Sequence, residues 1–240
     1  MPDSPSATRI EVAGVSVTVV SRTPAVTMWV LRYFGPWWNA VDVPPPDGQD
    51  ADGPIVVAEV DPSRYADLAA RVTGSPHEET VYARSPVLVA RSIEGSVLAL
   101  SPTEELAYQT EPSRILIVGA HERPVSLAAA RLAREMVRAR LHHDGWTLLH
   151  ASAVVRDGRA VLTFGSKGAG KTTTALLLTR YCGWKLLAND RVFVRAGPSG
   201  VQILPWPAAA AIGLGLLDAL GLYDLARDRV RAGEQLHPTQ

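Results

Sequence analysis

A single cysteine, Cys182, in 240 residues excludes an internal disulfide and any multi-cysteine metal site. In its setting, "LLLTRYCGW", it reads as a small buried hydrophobe rather than a reactive thiol. An excess of charge of one sign is also lacking. The 24 Lys plus Arg balance 24 Asp plus Glu, so no basic field draws the chain to nucleic acid or to an anionic membrane. The opening "MPDSPSATRIE" has neither a basic n-region nor an apolar h-region, so no secretory signal is expected and the cytoplasm is the expected location. No apolar run reaches the roughly 20 residues that span a bilayer. The most apolar late stretch, residues 207–222, carries Asp218 and reads as a core helix. The chain has no internal repeat.

The remaining composition suits a globular protein: 47% hydrophobic and 20% charged residues, enough for one large domain or two modest ones. Residues 1–124 alternate short strand-like runs with turn signals: "VSVTVV" (15–20), "IVVAEV" (55–60), "PVLVARSIEGSVLAL" (86–100) and "RILIVG" (114–119). The third reads as a hairpin folded at Glu94-Gly95, and residues 62–72 as a helix capped by Asp61. An α+β domain is expected there, the smaller of two and of unassigned role. The Pro-, Gly- and Asp-rich residues 43–54 form a loop. Trp37 and Trp38 just before it suit either packing or a stacking surface for a ligand.

Residues 124–143 predict a helix that starts at Pro124 and stops before Gly145. Leu132, Met136 and Val137 mark its apolar side; Arg131, Arg134 and Arg138 form a stripe that suits docking of an acidic partner but reads better as a solvated face paired with Glu135. His142 and His143 before Asp144 suggest a metal, but adjacent helical residues diverge by about 100°, and a histidine at a helix C-terminus is favourable for its charge alone.

The stretch with the most chemistry is "FGSKGAGKTTTALLL", residues 164–178. It fits G-x-x-x-x-G-K-[ST] through Gly165, Gly170, Lys171 and Thr172. Residues 146–155 and 160–164 predict a hairpin turned at Asp157-Gly158, its second strand feeding the glycine-rich loop and the loop opening a helix. Backbone N–H groups of Gly165, Ser166, Lys167, Gly168, Ala169, Gly170, Lys171, Thr172 and Thr173 would cradle the phosphates of ATP. Lys171 would reach the β and γ phosphates and the Thr172 hydroxyl would ligate Mg²⁺. After the helix, "WKLLANDRVFVR" predicts a parallel strand ending at Asn189-Asp190. A helix of about 11 residues climbs roughly 16 Å and a strand of about five returns it, so Asp190 comes back beside the phosphates. There it can hold Mg²⁺ or accept a hydroxyl proton; the plain alternative is an Asn-Asp turn.

Other nucleotide users are disfavoured. The chain has no NKxD-type guanine reader and no LSGGQ-type signature, and Asp190 follows Lys171 by only 19 positions, too few for switch segments. A kinase remains. These residues resemble the catalytic domain of HPr kinase/phosphorylase, a bacterial P-loop kinase that phosphorylates a serine of a small phosphocarrier protein. "HASAVVRDGRAVLTFGSKGAGKTTTALLL" followed by "LLANDRV" follows its pattern of a histidine, the loop, a short helix and an Asp-Asp-x-Val strand end. The histidine is His150, 15 residues ahead of Gly165.

The resemblance implies a P-loop α/β domain of the HPr-kinase/PEP-carboxykinase type over residues 125–240. It implies ATP bound by residues 165–173, Mg²⁺ held by Thr172 and Asp190, and catalysis by Asp190, His150 and Lys171. His150 also fits a core-facing strand histidine. The likeness spans residues 146–194, about a fifth of the chain. Asn189 replaces the family's first aspartate. The family's later glutamate and arginine have no clear counterparts: Glu234 is the one glutamate after Asp190, and Arg195, Arg227, Arg229 and Arg231 are undistinguished candidates. With 95 residues from Trp146 onward and no closing strand, a truncated or split protein is expected.

The expected activity is transfer of the γ-phosphoryl group of ATP to a serine of a peptide or small protein, as in a peptide-biosynthesis branch of such kinases. A small-molecule kinase and a non-catalytic nucleotide-binding module are the alternatives. Neither nucleic acid nor membrane is an expected partner, and homo-oligomerisation is left open.

Overall fold

The computed structural model describes residues 4–46, 53–82, 85–91, 95–111, 114–198, 200–208 and 212–224. The chain divides into two compact units, residues 1–140 and 141–240. The division falls inside the long helix α3 (Glu122–His143) rather than ahead of it, and the first unit is the longer one.

The first unit is built on one nine-stranded sheet. In chain order its strands are β1 (Ser6–Val12), β2 (Val15–Ser21), β3 (Asn39–Val43), β4 (Ile55–Val60), β5 (His77–Tyr82), β6 (Ser85–Arg91), β7 (Val97–Ser101), β8 (Leu106–Thr110) and β9 (Arg114–Gly119). Across the sheet the order is β3-β1-β2-β4-β9-β8-β7-β6-β5. Only the pairs β2 with β4 and β4 with β9 are parallel; the remaining pairs are antiparallel. The hairpin of residues 86–100 is present as β6 and β7; Glu94 of its expected turn lies outside the described residues, and Gly95 has φ 84°.

Helix α2 (Pro62–Thr73) starts as expected, with the Asp61 carboxylate accepting from the Arg64 N–H, and lays Leu68 and Val72 on Leu100, Ala107, Leu116 and Val118. Helix α1 (Pro24–Phe34) was not foreseen. Its signal is nonetheless legible: Pro24 in the first turn and buried Val26, Val30, Tyr33 and Phe34 at helical spacing. Trp38 is buried and stacks on Phe34 with ring centroids 5.2 Å apart, so it serves packing; Trp37 is half-buried.

The arginines of α3 do not form a solvated stripe. Arg131 makes a two-bond pair with Glu104, Arg134 donates to the Tyr33 hydroxyl, and Glu135 pairs closely with Arg138 (2.6 Å) and more distantly with Arg134 (3.9 Å). The sheet face beside Arg131 brought partners that lie far away in sequence. Burial there pushes the Tyr108 phenol up to about 12.

The second unit carries two three-stranded sheets, β10-β14-β15 and β12-β11-β13. Its strands are β10 (Thr147–Leu149), β11 (Ser152–Arg156), β12 (Arg159–Thr163), β13 (Lys185–Ala188), β14 (Val192–Gly197) and β15 (Gly200–Pro205), with helices α4 (Lys171–Tyr181) and α5 (Leu214–Ala219). The single strand expected over residues 146–155 is broken at His150 and Ala151, so β10 and β11 join different sheets. The turn at Asp157-Gly158 is present, both residues having positive φ, 50° and 71°.

Two further expectations fail. Residues 207–222 do not form a core helix. Gly213 is extended (φ −65°, ψ 144°) ahead of the helix and Gly221 turns the chain with φ 65° just past its C-cap, which confines the helix to the six residues of α5; Leu216 and Leu217 are only half-buried, and residues 209–211 lie outside the described set. Cys182 is exposed rather than buried, because it sits at the C-terminal cap of α4 where the chain turns away at Gly183 (φ 69°). No helix among the described residues is long and apolar enough to cross a membrane.

Two outcomes check this packing. A Cβ on Gly119 would lie 2.6 Å from Val125 and 2.7 Å from Leu106, so Gly119→Ala is expected to lower unfolding stability by about 1–3 kcal/mol in urea titrations. Tyr108 keeps its proton in the folded state above pH 10, where the unfolded chain loses it. Its contribution is therefore whole below pH 10 and declines by up to about 1.4 kcal/mol per pH unit towards 12. Tyr108→Phe should flatten the alkaline fall in stability relative to wild type.

Candidate functional site

The antiparallel register of β11 with both neighbours decides what meets at one end of its sheet. Ser152 pairs with Thr163 of β12, and Ala153 pairs with Ala188 of β13. The residue before β11 therefore leaves the sheet at the same edge as the residues after β12 and after β13. Strand β13 runs in the same direction as β12 but is not bonded to it. The expected parallel strand is thus present in direction, with β11 lying between it and β12, and the chain returns towards the loop.

Beyond β12 the chain enters residues 164–170 and then α4. Three glycines make this path feasible: Gly165, Gly168 and Gly170 have φ 142°, 87° and 83°, values that L side chains rarely adopt. At Gly165 the constraint is also steric, since a Cβ would stand 2.7 Å from the Ala169 Cβ. Gly165, Ser166, Lys167, Gly168 and Ala169 are exposed, whereas Gly170, Lys171 and Thr172 are half-buried and Thr173 is exposed.

Gly170 caps α4 and no side chain satisfies its first turn; the first backbone bond is Thr174 N–H to the Gly170 carbonyl, 2.8 Å. The N–H groups of Lys171, Thr172 and Thr173 precede Thr174, the first N–H bonded within the helix, and so have no intrahelical acceptor. A helix start of this kind attracts an anion through its N–H groups and dipole. The Lys171 ammonium lies across the loop, donating to the carbonyls of Gly165 (2.8 Å) and Ser166 (3.1 Å).

Between β10 and β11, His150 projects where the strand breaks, and its Nδ1 lies 3.3 Å from Oδ1 of Asp190, just past the end of β13. The His150 side chain is 60% exposed and that of Asp190 37%, so His150 is not a core-facing strand histidine. A contact this exposed adds at most about 1 kcal/mol. Stability alone gives it little reason to exist. The other carboxylate oxygen, Oδ2, lies 3.3 Å from Nε of Arg191.

Asn189 takes the opposite course. It is buried, its carbonyl accepts from the Ser152 hydroxyl at 2.7 Å, and its side-chain Oδ1 has no partner. Of the Asn-Asp pair, only Asp190 is presented to solvent. Ser152, Arg191 and Trp206 were not singled out from sequence. The adjacency of Arg191 to Asp190 was a signal; nothing marked Trp206.

Of the other sequence candidates, Arg195 is engaged elsewhere, bonded to Gln202 and stacked over Trp146 at 4.5 Å. His142 turns Nδ1 to the Trp146 carbonyl at 3.3 Å. Arg227, Arg229, Arg231 and Glu234 lie outside the described residues.

The described residues contain no cluster of three or more His, Cys, Asp or Glu able to cage a metal. The oxygen donors named from sequence are the Thr172 hydroxyl in the first turn of α4 and the Asp190 carboxylate just past β13. That set suits an ion such as Mg²⁺, which keeps several waters and shares one or two protein oxygens with substrate phosphates.

Against known proteins the chain has no significant match: no family model, no curated protein and no solved structure. The likeness to HPr kinase/phosphorylase therefore stands on the quoted residues alone.

Ser152→Ala removes the hydroxyl that satisfies the buried Asn189 carbonyl. A loss of about 1–3 kcal/mol is expected on unfolding, with the His150 and Asp190 side chains left in place.

Proposed function

We propose that the second unit is an ATP-dependent kinase that transfers the γ-phosphoryl group to a hydroxyl, a serine of a peptide or small protein. The observation that carries this reading is the exposed His150 to Asp190 contact at 3.3 Å, at the sheet edge from which the glycine-rich loop also departs. The P-loop α/β fold named from sequence belongs to the same proposal, as does the peptide-biosynthesis setting.

Residues 165–173 hold the triphosphate through backbone N–H groups, and Lys171 leaves the loop carbonyls to neutralise its β and γ oxygens. Thr172 and Asp190 would hold Mg²⁺, which when bound supplies charge neutralisation on the phosphate oxygens. Asp190 accepts the proton of the attacking hydroxyl as the serine oxygen bonds to the γ-phosphorus. The bond from that phosphorus to the bridging oxygen breaks, and ADP leaves. His150 orients the carboxylate and, with its other nitrogen, steadies charge on the transferred group. Chemistry of this kind rests on positioning and electrostatics rather than on covalent steps.

A specific observation favours one other reading. Asn189 stands where the resembled family has its first aspartate and is turned inward, so Asp190 alone must act as base; a nucleotide-binding module without transfer would need no more than the loop.

The test is transfer of labelled γ-phosphate to serine peptides and to a metabolite mixture. Lys171→Ala is expected to abolish nucleotide binding and transfer. Asp190→Asn is expected to keep binding and lower kcat by about 10²-fold or more. Tight ATP binding by wild type with no acceptor labelled supports the module, and full transfer by Asp190→Asn contradicts the role given to that residue. Label in metabolites alone redirects the substrate class.

A further inference from the structure

Arg191 is the next residue after Asp190 yet turns its side chain back on it. Its Nε lies 3.3 Å from Oδ2 of Asp190, while Oδ1 of the same carboxylate faces His150 at 3.3 Å. The guanidinium is itself placed: it lies over the Trp206 ring, 5.8 Å from the centroid. Trp206 is buried and packs on Phe193 with ring centroids 5.7 Å apart. Its backbone N–H donates to the Arg191 carbonyl at 3.3 Å, one residue beyond the β14 to β15 pair Val192 with Pro205. The sheet β10-β14-β15 thus sets where Arg191 stands beside Asp190.

We infer that Arg191 is a positioning residue, clamped by Trp206, that fixes the rotamer of Asp190 so that one oxygen faces His150 and the carboxylate stays at the sheet edge. The inference rests on the kinase reading for its kinetic consequence, though not for its geometry. A guanidinium suits this place because its planar fork can stack on an indole while its Nε edge meets a carboxylate. A lysine ammonium offers charge without that edge. The Arg191 to Asp190 pair is half-exposed, with side chains 48% and 37% accessible, so it contributes little to stability and its removal leaves the fold intact.

The experiment pairs kinetics with the ring signals of His150, observed by ¹⁵N-histidine NMR at one pH and assigned with His150→Gln. Arg191→Gln is expected to lower kcat by about 10- to 100-fold, the range for partners that orient a reacting group, with KM for ATP within about twofold of wild type. The His150 Nδ1 signal should move towards that of Asp190→Asn. Arg191→Lys should recover at most part of kcat, and Trp206→Phe, which keeps an aromatic ring in the core, should show a smaller loss of the same kind. Unchanged kcat and unchanged ring signals in Arg191→Gln overturn the inference. So does a loss carried by KM alone, which makes Arg191 a nucleotide ligand. If wild type transfers no phosphate, the kinase reading fails, and the ring signals by themselves decide whether Arg191 holds Asp190.

Discussion

The site depends on one constraint, the placement of β11 antiparallel to both β12 and β13. That arrangement sends the start of one strand and the ends of two others to a single edge, where His150, the glycine-rich loop and Asp190 emerge. The break at His150 and Ala151 completes it, because a continuous strand from β10 into β11 would have carried the histidine within a sheet instead of out of it. The hairpin turn at Asp157-Gly158 fixes the register between β11 and β12, and with it the level at which the loop begins. A one-residue slip would turn every side chain of β12 to the other face.

Burial and exposure are sorted with the same economy at the strand ends. Ser152 and Asn189 are buried and joined by a hydrogen bond from hydroxyl to carbonyl, and their neighbours His150 and Asp190 are exposed and face each other. The unpartnered Oδ1 of Asn189 carries a cost of about 1–3 kcal/mol. That unsatisfied oxygen adjoins the exposed His150 to Asp190 contact, which itself adds little stability.

Much of this was legible because it is local. The loop, the helix after it, the Asp-Gly hairpin and the Asp61 cap each depend on a few adjacent residues with special backbone or capping chemistry. The illegible features depend on partners far apart in sequence. Nothing in "WTLLHASAVV" marks the change of sheet at His150, and nothing near Asp190 announces that Trp206 will lie under Arg191. Arg131 and Arg134 read as a solvated stripe until Glu104 and Tyr33 supply their partners. In the apolar stretch ahead of Tyr223, hydrophobicity outweighed the glycines, and the glycines decided the outcome at α5. The strands β1, β3, β5 and β8 went unmarked for a related reason: a nine-stranded sheet recruits segments of modest strand character once their neighbours are in place.

The kinase reading turns on whether a nucleotide bound at the glycine-rich loop brings its terminal phosphate to the His150 and Asp190 pair. A crystal structure with a nonhydrolysable ATP analogue and Mg²⁺ tests this most directly. The predicted result is a triphosphate along residues 165–173, with the γ-phosphate within about 6 Å of both side chains, directly or through one water. A nucleotide bound elsewhere, or a γ-phosphate farther than that from both groups, would contradict it.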